Sequence, residues 1–219
     1  MSIKKIILIS LVLLVVVAAV FLYAAARKIY TPTKGTRIGK YSDPQKALLV
    51  IDLQVDYIGL NGRQPPVYEH VDKQINTINS LIDKASESGM KVVYIRQVFD
   101  NNFLMRHLVG RTIEGVPGVE MDPRVKVINQ NDFTKNISDA FSNPKLGEFL
   151  VANHVDELYL VGLDAAYCVY NTAMGGKNRG YKVTVVKDAI MTQKNMADVL
   201  KHYETHGILT TTSGEMLGR

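Results

Sequence analysis

Apolar positions run from Ile6 to Ala26, broken only by Ser10 and Tyr23, with Lys4 and Lys5 before the run and Arg27 and Lys28 after it. About 20 helical residues at ~1.5 Å rise span the hydrocarbon core of a bilayer. The pattern therefore predicts a transmembrane helix over residues 6–26. A cleaved signal peptide is the alternative, since Ala24–Ala26 resembles a small-residue cleavage site. The run is longer than the ~7–15 residues of a signal h-region, which favours a retained anchor. Pro32, Gly35, Gly39 and Pro44 then mark residues 29–46 as a linker.

From Ala47 onward the pattern changes. Apolar runs of strand length occur at "ALLVIDL" (Ala47–Leu53), "KVVYI" (Lys91–Ile95), "VKVI" (Val125–Ile128), "ELYLVGL" (Glu157–Leu163), "YKVTVV" (Tyr181–Val186) and "ILTTT" (Ile208–Thr212). Between them, Val71, Ile75, Ile78, Leu81, Ile82 and Ala85 fall at helical spacing up to Gly89. Helices are also predicted over Pro144–Val151, with Asn143 as N-cap, after Cys168, and over "MADVLKHYETHG". Strands apolar on both faces alternating with helices predict a three-layer α/β/α domain over residues 47–219, with an open, mostly parallel sheet of about six strands. Residues 1–28 are then the anchor. The segment from Val98 to Arg124 is long for a connection, as expected of a lid or an oligomer contact.

Charge changes the picture in one respect. The chain carries +5, yet residues 1–46 hold eight of the 26 Lys/Arg and one of the 21 Asp/Glu. That leaves 18 basic and 20 acidic residues downstream, a net of −2. The folded part lacks the electrostatic footprint of a nucleic-acid binder. Arg27, Lys28, Lys34, Arg37 and Lys40 outnumber Lys4 and Lys5 across the span. This bias leans the domain of a single-pass membrane protein toward the cytoplasm, with a periplasmic or extracellular placement as the alternative. A single cysteine excludes an intramolecular disulfide and a multi-thiolate metal site.

In parallel sheets ligands bind beyond the carboxyl ends of the strands, at a switch in strand order. Asp52 ends the first run there, and Cys168 follows the fourth in "VGLDAAYCVYNTAMGG". Singly, an Asp at a strand end caps turns, a free cysteine is most often a small buried hydrophobe, and Lys135 reads as a surface lysine.

As a set the segments "ALLVIDLQVDY", "TKNISDAF", "LVGLDAAYCVYNTA" and "GYKVTVVKDA" resemble, in order and spacing, the isochorismatase-like cysteine hydrolase family, from Ala47 to Leu217. The resemblance implies a catalytic triad of Asp52, Lys135 and Cys168, working without a cofactor. It implies an oxyanion hole of the backbone N–H groups of Asp164 and Cys168, after a cis peptide between Leu163 and Asp164. It also implies a homo-oligomer and a small amide, ureido or imide substrate. The residue types fit this chemistry. A thiol at a helix start beside an ammonium is expected to ionise readily, and a neighbouring carboxylate relays its proton. Gln54, Tyr57, Phe99 and Tyr167 are expected in the substrate pocket, and Arg96, Gln97 and Arg111 either hold a polar substrate group or face solvent. Ala165 and Ala166 replace the Thr-Asp that many relatives carry, which puts support of the loop in question. The metal-holding Asp-x-His of nicotinamidases is missing from "RQVFDNNFLMRH", and His70 and His107 stand alone, so no metal is expected. A catalytically inactive binding module and an ether hydrolase of the isochorismatase type are the alternatives.

Overall fold

The computed structural model describes residues 2–59, 62 and 67–218, apart from the side chains of Ala25 and Ala26. In chain order the elements are α1 (Ile3–Tyr30), β1 (Gln45–Ile51), α2 (Val55–Ile58), α3 (Val71–Glu87), β2 (Lys91–Gln97), α4 (Phe103–Leu108), β3 (Asp132–Lys135), α5 (Pro144–Ala152), β4 (Val155–Gly162), α6 (Tyr170–Asn178), β5 (Lys182–Ile190), α7 (Met196–Thr205), β6 (Leu209–Thr211) and α8 (Ser213–Leu217). A π-helical turn, Ala165–Val169, leads into α6.

The strands form one sheet in the order β3-β2-β1-β4-β5-β6, every pair parallel. The chain starts in the middle, builds outward to β3, then crosses back to β4. The switch point therefore lies between the carboxyl ends of β1 and β4. β1 shows why both faces are covered. Ala47, Leu49 and Ile51 pack into one core with Leu146 and Leu150 of α5, Ala173 of α6 and Tyr203 of α7. Leu48 and Val50 pack into the other with Ile75, Ile78, Leu81 and Ile82 of α3. Successive side chains alternate faces along a strand, so a strand buried on both sides must be apolar throughout.

The third strand differs from the one read in the sequence. Val125–Ile128 pairs with no strand. The hydroxyl of Tyr94 donates to Lys126 O at 2.9 Å and accepts from Ile128 N at 3.1 Å, and Asn79 Oδ1 accepts from Lys126 N. These bonds hold the segment as a strap, with Val127 and Ile128 exposed. The edge strand is instead the four-residue "DFTK", which ends on Lys135 in register with Gln97.

α1 is exposed from Ile6 to Ala24 and is long and apolar enough to cross a membrane. Residues 31–44 run extended along the domain. Thr33 donates to Asp139 Oδ2 from both its N–H (2.7 Å) and its hydroxyl (2.6 Å). Asn178 Nδ2 donates to Thr33 O at 2.8 Å, and Ile38 N to Arg179 O at 2.8 Å. The segment with linker composition is thus bonded to the sheet domain along its length.

The 98–124 segment is pinned as well. Asp56 accepts from Thr112 N at 2.7 Å, and Arg124 bridges Asp122, Asp72 and the carbonyl of Ile58. Within it, α4 leaves Phe103, Leu104 and Leu108 exposed.

Candidate active site

Three elements deliver three side chains to the switch point. After β1 the chain turns through Asp52, which adopts a left-handed conformation (φ 57°) that aspartate tolerates better than most residues. Its N–H donates to Ile95 O, and Gln54 N closes the turn on Asp52 O at 2.8 Å. β3 ends on Lys135, buried at 3 % exposure. β4 ends on Gly162, where φ is +110° and a Cβ would overlap the carbonyl oxygen of Ile51. Only glycine lets the turn after β4 press this closely on the end of β1. Gly162→Ala is therefore expected to cost on the order of 2 kcal/mol or more, read as a lowered unfolding midpoint, and to reduce activity with it.

Lys135 Nζ lies 2.8 Å from Asp52 Oδ2 and 3.3 Å from Cys168 Sγ. It also donates to Gln97 Oε1, and Gln97 Nε2 returns a bond to Lys135 O at 3.1 Å. The other carboxylate oxygen, Asp52 Oδ1, is buried without a hydrogen-bond partner among the described residues. An unpartnered buried carboxylate oxygen beside a thiol is a ready proton acceptor.

Electrostatics differ from the expectation of an easily ionised thiol. Burial pushes the Cys168 thiol up to about 12; Lys135 pulls it down, and the charge of Asp52 adds to the rise. Burial also raises the Asp52 carboxyl, against Lys135. Burial works against the Lys135 ammonium, but Asp52 and Cys168 hold it above the ordinary lysine value. One ammonium faces two groups able to carry negative charge, and both anions cannot be held at once. The carboxylate, intrinsically the far stronger acid, carries the charge. These directions favour an Asp52–Lys135 ion pair beside a neutral Cys168 thiol.

The peptide between Leu163 and Asp164 is cis. The turn that follows is held by Asp164 itself. Its carboxylate accepts from Ala166 N (2.7 Å), the Thr192 hydroxyl (2.9 Å), the Tyr68 hydroxyl (3.3 Å) and Gln193 N (3.4 Å). The Tyr203 hydroxyl donates to Ala165 O. These bonds supply the support that Ala165 and Ala166 cannot give. Tyr167 N and Val169 N both donate to Asp164 O.

Asp52, Gln97, Asp164 and Cys168 face a cavity of about 220 Å³ walled by Tyr57, Tyr68, Phe99, Tyr167, Ile137, Ser138 and Leu163, and by Ile29 and Tyr30 from the end of α1. Of the four residues expected in a substrate pocket, Tyr57, Phe99 and Tyr167 line this cavity. Gln54 is not. It is fully buried, donating to Gln97 O (2.9 Å) and Val119 O (2.8 Å) and accepting from Gln97 N (2.7 Å). Its amide stitches the end of β2 to the returning 117–121 loop and spends both of its N–H groups there. Arg96 is engaged by Asp132 and Glu120, and neither it nor Arg111 lines the cavity. Tyr68, Ser138, Ile29 and Tyr30 escaped the sequence reading. A larger cleft of about 460 Å³ lies at the opposite strand ends, around Gln45 and Ser88, away from this chemistry.

Among the described residues no three His, Cys, Asp or Glu side chains come together as ligands. His107 is exposed and its Nδ1 donates to Phe103 O at 2.8 Å, and exposed His70 sits at the start of α3.

The family model for the isochorismatase domain matches residues 46–213. The nicotinamidase of Escherichia coli (strain K12) is 26% identical over 178 residues, covering 66% of this chain and 82% of its own. Among solved structures, the zinc complex of pyrazinamidase from Pyrococcus horikoshii superposes with a TM-score of 0.69 at 25% identity, covering 77% of this chain and 99% of that one. N-carbamoylsarcosine amidase from Thermoplasma acidophilum gives 0.66 at 25% identity, with 77% and 96% coverage.

Proposed function

The chain belongs to the isochorismatase-domain family, and on that premise we propose that it is a membrane-tethered cysteine amidohydrolase acting on a small amide. The observation that carries this reading is the convergence of Asp52, Lys135 and Cys168, with one ammonium 2.8 Å from the carboxylate and 3.3 Å from the sulfur. The nicotinamidase, pyrazinamidase and carbamoylsarcosine amidase relatives support C–N cleavage as the reaction.

In the proposed mechanism, Asp52 Oδ1 takes the thiol proton as Cys168 Sγ attacks the amide carbon. The N–H groups of Asp164 and Cys168 stabilise the oxyanion of the tetrahedral intermediate. Asp52 then gives its proton to the amide nitrogen, the C–N bond breaks, and ammonia or an amine leaves a thioester on Cys168. Water, deprotonated by Asp52, attacks the thioester. The carboxylic acid product leaves and the thiol regains its proton. Lys135 keeps its proton throughout and holds the carboxylate in place. No step requires a metal or an organic cofactor.

A cavity of about 220 Å³ lies below the roughly 300–1,000 Å³ of drug-sized ligand sites, and its aromatic rings suit a single flat ring. The first experiment is ammonia release from nicotinamide and simple benzamides by the full-length chain. Release at a rate above the buffer blank is the expected result, and none from any amide would refute the assignment. The tether reading rests on α1 and its flanking charges. Protease digestion of intact spheroplasts is expected to spare the domain, and its degradation from outside would reverse the orientation.

Because burial dominates the thiol, alkylation of Cys168 by iodoacetamide is expected to be slow at pH 7. It should rise by about tenfold per pH unit up to pH 10, as the thiolate fraction grows. A plateau below pH 8 would contradict the neutral resting thiol. Turnover needs Asp52 as carboxylate, and its pKa lies above the ordinary 3.8. Activity is therefore expected to be lost, as pH falls, at a value above 3.8.

A further inference from the structure

We propose that the last turn of α1 is a working wall of the substrate pocket, that this pocket sits at the depth of the lipid headgroups, and that it selects uncharged, ring-bearing amides. The inference deepens the amidase and tether readings and rests on both.

Ile29 and Tyr30 line the same cavity as Asp52 and Cys168. The Tyr30 ring packs against that of Tyr167, centroids 5.7 Å apart, next to the nucleophile in the chain. The Ile29 carbonyl accepts from Ser138 N at 3.0 Å, three residues beyond Lys135. Thr31 Oγ1 closes the helix end on Arg27 O, and Thr33 ties the next residues to Asp139. The helix end is thus fastened to the rim on the two sides that carry Lys135 and Cys168.

Depth follows from helix geometry. The apolar stretch ends at Ala26, three to four residues before Ile29 and Tyr30, which is about 4.5–6 Å along the axis. The headgroup layer beyond each side of the hydrocarbon core is roughly 5–8 Å thick. Arg27, Lys28 and Tyr30 are the side chains that anchor a helix in that layer. With the helix spanning a bilayer, the wall residues stand among the headgroups.

Substrate charge follows from the lining. Among the described lining residues the charged ones are Asp52 and Asp164, and the Lys135 ammonium is spent on Asp52, Gln97 and Cys168. Among the described lining residues no unspent cation answers a free carboxylate on a substrate. The five rings of Tyr30, Tyr57, Tyr68, Phe99 and Tyr167 favour a flat apolar body, the kind of solute that collects at a membrane–water interface.

The test uses the full-length chain in phosphatidylcholine vesicles. A nitroxide on Tyr30→Cys, in a Cys168→Ser background, is expected to report headgroup depth by oxygen and nickel-chelate collision rates. A fully aqueous reading would overturn the placement. Tyr30→Ala is expected to raise KM for benzamide at least fivefold with kcat within twofold, and Tyr30→Phe to restore KM. An unchanged KM in Tyr30→Ala would overturn the wall. Benzamide is expected to exceed 4-carboxybenzamide at least tenfold in kcat/KM, and parity would overturn the charge selection. Absence of ammonia from every amide would overturn the amidase reading and this inference together, whereas turnover without these three effects would overturn the inference alone.

Discussion

Lys135→Met is expected to stop turnover and to destabilise the domain by about 3–5 kcal/mol, the cost of stranding one charge of a buried pair. Both partners are nearly inaccessible, at 0% and 2% side-chain exposure, so solvent cannot take over the role of the lost ammonium. With Lys135 gone, burial is opposed less strongly and the Asp52 pKa rises further. Less of the carboxyl is then ionised, and Cys168 loses much of the base that takes its proton. A fall in kcat/KM of at least about 10³ follows from losing general acid–base catalysis. The double variant Asp52→Asn/Lys135→Met separates the two effects. It is expected to regain most of the lost stability in denaturant unfolding, since no charge is left unpaired, while staying inactive. A double variant as unstable as Lys135→Met would show that the pair is not the source of the cost.

The second large effect is that of Cys168→Ser. The hydroxyl is isosteric enough to keep the turn, whose hydrogen bonds run through Asp164 rather than through the sulfur. Stability is expected to change by less than about 1 kcal/mol. Turnover is expected to fall by at least about 10⁴-fold, as when the nucleophile of a covalent mechanism is removed. A hydroxyl resists deprotonation by a carboxylate far more than a thiol does, so Asp52 cannot compensate. Circular dichroism and ammonia release on the same preparation would check both halves.

Most of the sheet was legible in the chain because β1, β2, β4 and β5 are buried on both faces and read as apolar runs. β3 was not. "DFTK" has a polar first residue, a short length and two exposed positions, whereas "VKVI" has the better strand pattern. What decided between them was the Tyr94 hydroxyl and Asn79, side chains far away in sequence that claim the backbone of 126–128. The meeting of Asp52, Lys135 and Cys168 was expected from the order and spacing of the motifs, not from any one residue. Lys135 looks like a surface lysine until β3 is placed beside β2.

Gln54 was misjudged because nearness to Asp52 in sequence does not determine which side of the turn a side chain takes. Its amide is claimed by Val119, 65 residues away. Ile29 and Tyr30 carried no local signal, since their part in the pocket depends on how the 31–44 segment lies along the domain. The thiol was misjudged for a related reason. A helix start and an ammonium both favour the thiolate, but the opposing burial is set by the assembled pocket and outweighs them.

The central claim is that Cys168 carries the acyl group between two proton transfers by Asp52. Rapid acid quench during turnover of nicotinamide, followed by peptide mass spectrometry, tests it most directly. The account predicts a nicotinoyl group on the peptide containing Cys168 and none in Cys168→Ser. An acyl group on another residue, or undiminished ammonia release by Cys168→Ser, would contradict it.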